Sequence, residues 1–133
     1  MREERRIRNI MLQLKHKGLD VWQKSIELVS EVYGLTNSFP KEEQFSLTSQ
    51  IRRSAISIPS NIAVGIARSS NLETIRFLDI SRSSLVELDT QIQIAINLKY
   101  LNSSEIEKLS KTVNHIFAML SKLIQKIKND EKM

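Results

Sequence analysis

The sequence predicts an all-α fold, an antiparallel up-and-down four-helix bundle with a kinked second helix, from three observations. Apolar residues recur at steps of three and four through most of the chain, and strand-like alternation is absent. Only three Gly and two Pro punctuate its 133 residues. The connections between periodic segments are short and polar, so consecutive helices must turn back on one another.

The first helix opens at Asp20, which with Gln23 has the spacing of a capping box, and its stripe is Trp22, Ile26, Val29, Tyr33 and Thr36. Leu28, Val32 and Leu35 widen that stripe. Gly34 lies inside it and marks either a close helix contact or an early fray. A turn over Asn37 to Pro40 and a short turn over Lys41 to Glu43 lead into the second helix, which ends near Arg68.

That second helix is the centre of the chain. Leu47, Ile51, Ala55, Ile58, Ile62 and Ile66 form its core stripe. A second stripe, Gln50, Arg53, Ser57, Ser60 or Asn61, Val64 and Arg68, mixes hydrogen-bonding and small residues where a solvated face would carry Lys and Glu, so it expects a partner. Pro59 lacks an amide donor and opposes a straight helix interior by about 3 kcal/mol, which predicts a structural kink. Ser57, Ser60 and Asn61 are placed to satisfy the carbonyls it leaves free.

The third helix, about Leu72 to Tyr100, carries Ile75, Leu78, Leu85, Ile92 and Ala95 or Ile96 on one line, and Phe77, Ser81, Ser84, Leu88 and Gln91 on another. Its apolar positions exceed what one core needs, and the excess points to another subunit. Arg82 falls on the core line and requires a partner, with Asp79, Glu87 or a carboxylate of another helix available. Ser104 with Glu107 has capping-box spacing. The last helix then presents Ile106, Leu109, Val113, Ile116, Phe117, Leu120, Leu123, Ile124 and Ile127, with lysines elsewhere.

Length suits one domain: a bundle over 19–128, a loosely held basic extension over 1–18 and a tail over 129–133. The absence of Cys fits a reducing compartment, and no stretch has signal-peptide or membrane-spanning character, so a cytoplasmic location is expected. Residues 1–17 hold six basic and two acidic side chains, +4 of the formal net charge of +5. The basic character is therefore local, confined to this tail and to the second helix, where Arg52, Arg53 and Arg68 stand without an acid between Gln44 and Leu72.

An enzyme needs a constellation of reactive groups, and none is legible. His16 and His115 are the only histidines, and no Glu precedes either by three residues as di-iron bundles require. HExxH, P-loop and dinucleotide glycine motifs are absent. Arg8 and His16 are too far apart for the Arg-to-His spacing of helical-bundle ribonucleases. No catalytic residue, metal site, cofactor or small-molecule substrate is expected, and His115 reads as a surface or core-edge residue.

Two readings remain for Gln50, Arg52, Arg53, Asn61, Arg68, Arg76 and Arg82. They hydrogen-bond within the bundle and between subunits, or several of them form a basic surface for phosphates. With 5% aromatic residues, and with Trp22, Tyr33 and Phe77 on helix faces, recognition by base stacking is disfavoured.

The runs LDVWQKSIELV from Leu19, SFPKEEQFSLTSQIRRSAISIPSNIAVGIAR from Ser38 and RFLDISRSSLVEL from Arg76 resemble the four-helix-bundle family of proteins encoded by intervening sequences of bacterial large-subunit ribosomal RNA. The resemblance covers roughly Leu19 to Ile127. It implies a homopentameric ring without known enzymatic activity. Repeated around such a ring, the arginines above give the expectation of a structured RNA or ribonucleoprotein partner, against a purely structural or protein-interaction oligomer. The accessory variability protein of diversity-generating retroelements, a basic pentamer that binds nucleic acid, is a more distant analogy. Two departures stand out: the family usually reads N-I-A-E-G where this chain has Asn61-Ile62-Ala63-Val64-Gly65, and R-G-S where it has Arg82-Ser83-Ser84.

Overall fold

The computed structural model describes residues 11–131. Four α-helices carry the fold: α1 (Asp20–Thr36), α2 (Leu47–Ile66), α3 (Asn71–Asn97) and α4 (Glu107–Glu131), with short 3-10 turns at Lys15–Gly18 and Lys41–Glu43. Each helix packs on its neighbour in sequence, and α4 closes the ring onto α1. Cross-helix contacts run in opposite directions along every pair. On α2 and α3, Ser54 meets Glu87, Ser57 meets Ser84 and Gly65 meets Thr74. Arg82 of α3 reaches Ser121 of α4, while Ile92 shares a groove with Ile106 and Leu109. Arg52 reaches Thr36, and Trp22 faces Ala63 across one groove. Glu31 meets Thr112, whereas Asp20 lies level with His115 and Met119.

The core follows the expected lines on three helices. Ile51, Ala55, Ile58 and Ile62 of α2, Leu78, Leu85, Ile92 and Ala95 of α3, and Leu109, Ile116, Leu120 and Ile124 of α4 are buried. On α1 the buried line is Val21, Ser25, Leu28, Val32 and Thr36, rotated from the expected one, and Ile26 and Tyr33 are exposed. Burying Ser25 and Thr36 is inexpensive because each hydroxyl donates to a carbonyl of its own helix, Ser25 to Trp22 at 2.7 Å and Thr36 to Val32 at 2.8 Å.

Helix α2 runs without a break through Pro59. Ser60 donates to the Ile56 carbonyl and Asn61 to that of Ser57, at 2.9 and 2.8 Å. Ser81 of α3 donates to the Ile58 carbonyl at 2.9 Å. These bonds fall on the three carbonyls just before Pro59, not on that of Ala55, four residues back, which its missing amide leaves free.

Helix ends depart from the expected caps. Asp20 makes no capping bond, and Gln23 instead donates to the Lys17 carbonyl at 2.8 Å. Ahead of α4 the reciprocal pair is Asn102 and Glu105, each side chain accepting from the other's backbone amide at 3.0 Å, rather than Ser104 and Glu107. Ser70, expected only as connection, caps α3 by accepting from the Glu73 amide. At the far end of α3, Lys99 turns the chain with φ of 67°, and Tyr100 donates to the Ala95 carbonyl at 2.9 Å, the pattern of a Schellman stop. The Tyr100 hydroxyl then donates to Glu43 at 2.8 Å, tying the α1–α2 connection to this end and holding the Glu43 carboxyl below its ordinary range.

The N-terminal extension is shorter than expected, because Lys15–Gly18 packs against α1 and α2. His16 is 7% exposed, with its ring 5.1 Å from that of Trp22. Burial, with a smaller contribution from Lys17, lowers its pKa from the ordinary 6.5. Arg2, Arg5, Arg6 and Arg8 lie outside the described residues. At the other end, α4 continues to Glu131 where a tail from 129 was expected.

The tight helix contact belongs to Gly65, not Gly34. A Cβ on Gly65 would stand 3.0 Å from Phe77 Cβ and 3.3 Å from the Thr74 carbonyl oxygen, whereas one on Gly34 meets nothing within 4 Å. Gly65→Ala is expected to lose about 1–3 kcal/mol by forcing α3 back, and Gly34→Ala to gain about 0.5–1 kcal/mol from helix propensity. Urea midpoints measure both. The lowered His16 pKa means that the unfolded chain binds the proton first as pH falls. Stability should therefore be level above pH 6.5 and decline as pH drops below it, with His16→Ala flattening that decline in the fluorescence of Trp22, the single tryptophan.

Candidate interaction face along the α2–α3 seam

Two pairs of polar residues facing each other along α2 and α3 are partnered within the chain. Ser54 donates to Glu87 at 2.7 Å and Ser57 pairs with Ser84 at 2.8 Å, while Asn61 also bonds the Ser57 hydroxyl at 3.0 Å. Of the stripe that expected a partner, Ser57 finds one in Ser84 of α3 and Arg68 lies against Phe77. Glu87 was named in the sequence as a possible partner for Arg82 and instead serves Ser54.

The seven residues singled out in the sequence divide by environment. Arg52 is a clamp: its Nε donates to Thr36 at 2.9 Å, its Nη2 to Asn37 at 3.4 Å, and its guanidinium carbon lies 4.2 Å from the Tyr33 ring centre. A cation there also faces the C-terminal carbonyls of α1. Arg82 pairs with Asp79 at 2.7 Å, donates to Ser121 at 3.2 Å and lies over Phe117, as a half-buried Arg requires. Asn61 supports the proline turn. These three serve the fold.

Arg68 and Arg76 converge on one ring. Their guanidinium carbons lie 4.9 and 5.6 Å from the centre of Phe77, and Arg76 also makes a long, exposed ion pair with Glu73 at 3.5 Å. Gln50 and Arg53 are exposed, and among the described residues neither side chain has a hydrogen bond or ion pair. Beside these polar groups, Val64 on α2 and Ile80 and Ile94 on α3 are 39%, 37% and 43% exposed. Ser57 and Ser84 mark the seam. Residues at steps of three and four from them, Arg53, Val64 and Arg68 on one helix and Phe77, Ile80 and Ile94 on the other, therefore border it together.

No lysine occurs between Leu47 and Asn97, although α4 carries five between Lys108 and Lys128. That contrast was readable in the sequence and passed unused. It separates a layer of Arg and aliphatic residues from a layer dressed for water.

Comparison with known proteins follows this geometry. The family model described as 23S rRNA-intervening sequence protein matches residues 17–122. The chain belongs to that family. Among solved structures, a protein of unknown function from the S23 ribosomal protein family of Bacteroides thetaiotaomicron superposes with a TM-score of 0.73 at 24% identity, covering 79% of this chain and 95% of that one. The likeness places this intervening-sequence protein in the same fold. No curated protein matches it.

Val64, where the family pattern usually has Glu, stands one turn before Arg68. A carboxylate there would have the (i, i+4) spacing of an ion pair. Here Arg68 lies against Phe77 instead, so the face is less acidic and more apolar. Arg52→Ala should cost about 1–2 kcal/mol through lost hydrogen bonds and ring contact, while Arg53→Ala should stay within about 0.5 kcal/mol of the parent. Thermal or urea unfolding of the two variants measures the difference.

Proposed function

We propose that this intervening-sequence protein is a non-catalytic, cytoplasmic subunit that self-associates through the outer face of the α2–α3 seam, as a pentameric ring. The lysine-free layer bearing exposed Val64, Ile80 and Ile94 beside Arg53 and Arg68 carries the reading. Subunit interfaces are depleted in Lys and enriched in Arg and aromatic residues, while a solitary soluble bundle has no use for such a composition on one side. Non-catalytic character is supported by the positions of the two histidines, His16 packed against Trp22 and His115 exposed on α4. Among the described residues no helix is long and apolar enough to cross a membrane.

A structured RNA or ribonucleoprotein is the second element of the reading. Arg53, Arg68 and Arg76 are the candidates left with exposed guanidinium groups, and symmetry would repeat them around a ring, raising avidity without stronger single contacts. Arg52 and Arg82 are withdrawn from that role because their guanidinium groups are held by side chains of the bundle.

Light scattering on the full chain tests the assembly. The parent should show a multiple of 15.3 kDa, and the pair Ile80→Lys with Ile94→Lys should return the 15.3 kDa species with unchanged helicity. A parent that stays at one subunit would remove the proposal. Titration with a ribosomal RNA fragment across a salt series tests the second element: Arg53→Glu with Arg68→Glu should reduce the salt slope, and the mass of the same variant separates lost phosphate contact from lost assembly.

A further inference from the structure

A groove of about 330 Å³ opens between α3 and α4. Its floor is core, Leu85, Leu88, Ile92 and Leu109, and its rim includes Val86 and Phe117, 56% and 40% exposed. Asp89 is the one charged side chain lining it, and among the described residues that carboxylate has no hydrogen bond or ion pair. An apolar trough with one unpaired acid fits an apolar surface carrying unpaired cations.

The α2–α3 seam is such a surface. Val64, Ile80 and Ile94 are exposed on it, and among the described residues Arg53 and Arg68 have no ion pair. Laid on a second seam, these arginines would find no free acid, since Glu87 is bonded by Ser54 and Glu73 by Arg76. Unmatched cations oppose that pairing, so the seam is better suited to an unlike face.

The other grooves of the bundle match it less well. The one between α1 and α2 is lined by no acid and is bordered by His16 of the chain's own N-terminal turn. That between α1 and α4 carries Asp20, Lys24, Glu27 and His115, a polar surface of both signs. A second α3–α4 groove, at the Leu72 end, has cations of its own in Arg76, Arg82 and Lys128.

Position on α3 lets one subunit use both faces at once. Ile80 and Asp89 are nine residues apart, about two and a half turns, so the seam and the groove lie on opposite sides of the helix. A contact between unlike faces is heterologous. Each copy offers its groove to one neighbour and its seam to another, and the series closes into a ring or runs on as a filament.

We propose that the α3–α4 groove of one copy receives the seam face of the next, with aliphatic residues of the seam on Val86 and Phe117 and a seam arginine beside Asp89. The inference rests on the assembly reading above and names the surface that answers the seam.

Complementation between full-length variants tests it. Val86→Lys with Asp89→Lys disables the groove at exposed positions, and Ile80→Lys with Ile94→Lys disables the seam. Each variant alone should scatter as 15.3 kDa with the helicity of the parent. Mixed in equal amounts they should form a species of two subunits and nothing larger, because one intact seam then meets one intact groove. If the groove variant loses helicity, Asp89→Lys alone reads the same contact, as self-association weakened about tenfold. A groove variant that keeps the parent's mass, or Asp89→Lys with the parent's association, would overturn the proposal while leaving the seam as an interface. So would a mixture that stays at 15.3 kDa at concentrations well above those that assemble the parent. A parent of 15.3 kDa removes the assembly reading itself, and this inference with it.

Discussion

Pro59 withdraws one amide from the middle of α2, and the three carbonyls just before it each take a side-chain donor. Ser60 and Asn61 of α2 reach those of Ile56 and Ser57, and Ser81 of α3 reaches that of Ile58. The last bond crosses between helices and allows little sliding or rotation, since missing it would strand the buried Ser81 hydroxyl at about 1–3 kcal/mol. The rotation of α3 against α2 is set there. From that anchor the Ser54–Glu87 and Ser57–Ser84 contacts fall in register towards one end, and towards the other the backbones close until only Gly fits at 65.

The same anchor decides which arginines are free. With the seam occupied by short Ser and Asn side chains, the helices lie close and long cationic side chains are displaced to its edges. Arg52 falls on the α1 side, where the end of α1 offers Thr36, Asn37 and the Tyr33 ring. Arg53, one residue later and so about 100° further round the helix, meets none of these. Adjacent arginines in one sequence motif thus have opposite fates.

Much of this fold was legible because periodicity is a strong signal where one face is clearly apolar. The core lines of α2, α3 and α4 were read correctly, and the pairing of Arg82 with Asp79 was among the partners named. The line on α1 was read only in part, Leu28, Val32 and Thr36 being buried as expected, because its apolar residues cover a wide arc and nothing in their spacing favours Val21 and Ser25 over Ile26 and Tyr33. Capping motifs misled for a related reason: Asn102 to Glu105 and Ser104 to Glu107 both have the required spacing, and local geometry used the first. In the candidate site, spacing grouped residues by helix face but could not say which faces oppose each other, so Arg52, Asn61 and Arg82 looked as available as Arg53 and Arg68.

Charge decides between the uses of the outer face. A nucleic-acid surface gains affinity from each phosphate neutralised, so cations gather on it and acids are excluded. Here Glu73 accompanies Arg76, and Glu87 sits on the seam itself. Valine at 64 removes a charge from this face without adding a cation. An apolar residue at an exposed position gains nothing from contact with a hydrated phosphate backbone, but it gains about 25 cal/mol for every Å² buried against another protein surface. Val64, Ile80 and Ile94 at exposed positions therefore argue for the proposed protein contact over the proposed RNA contact at the seam.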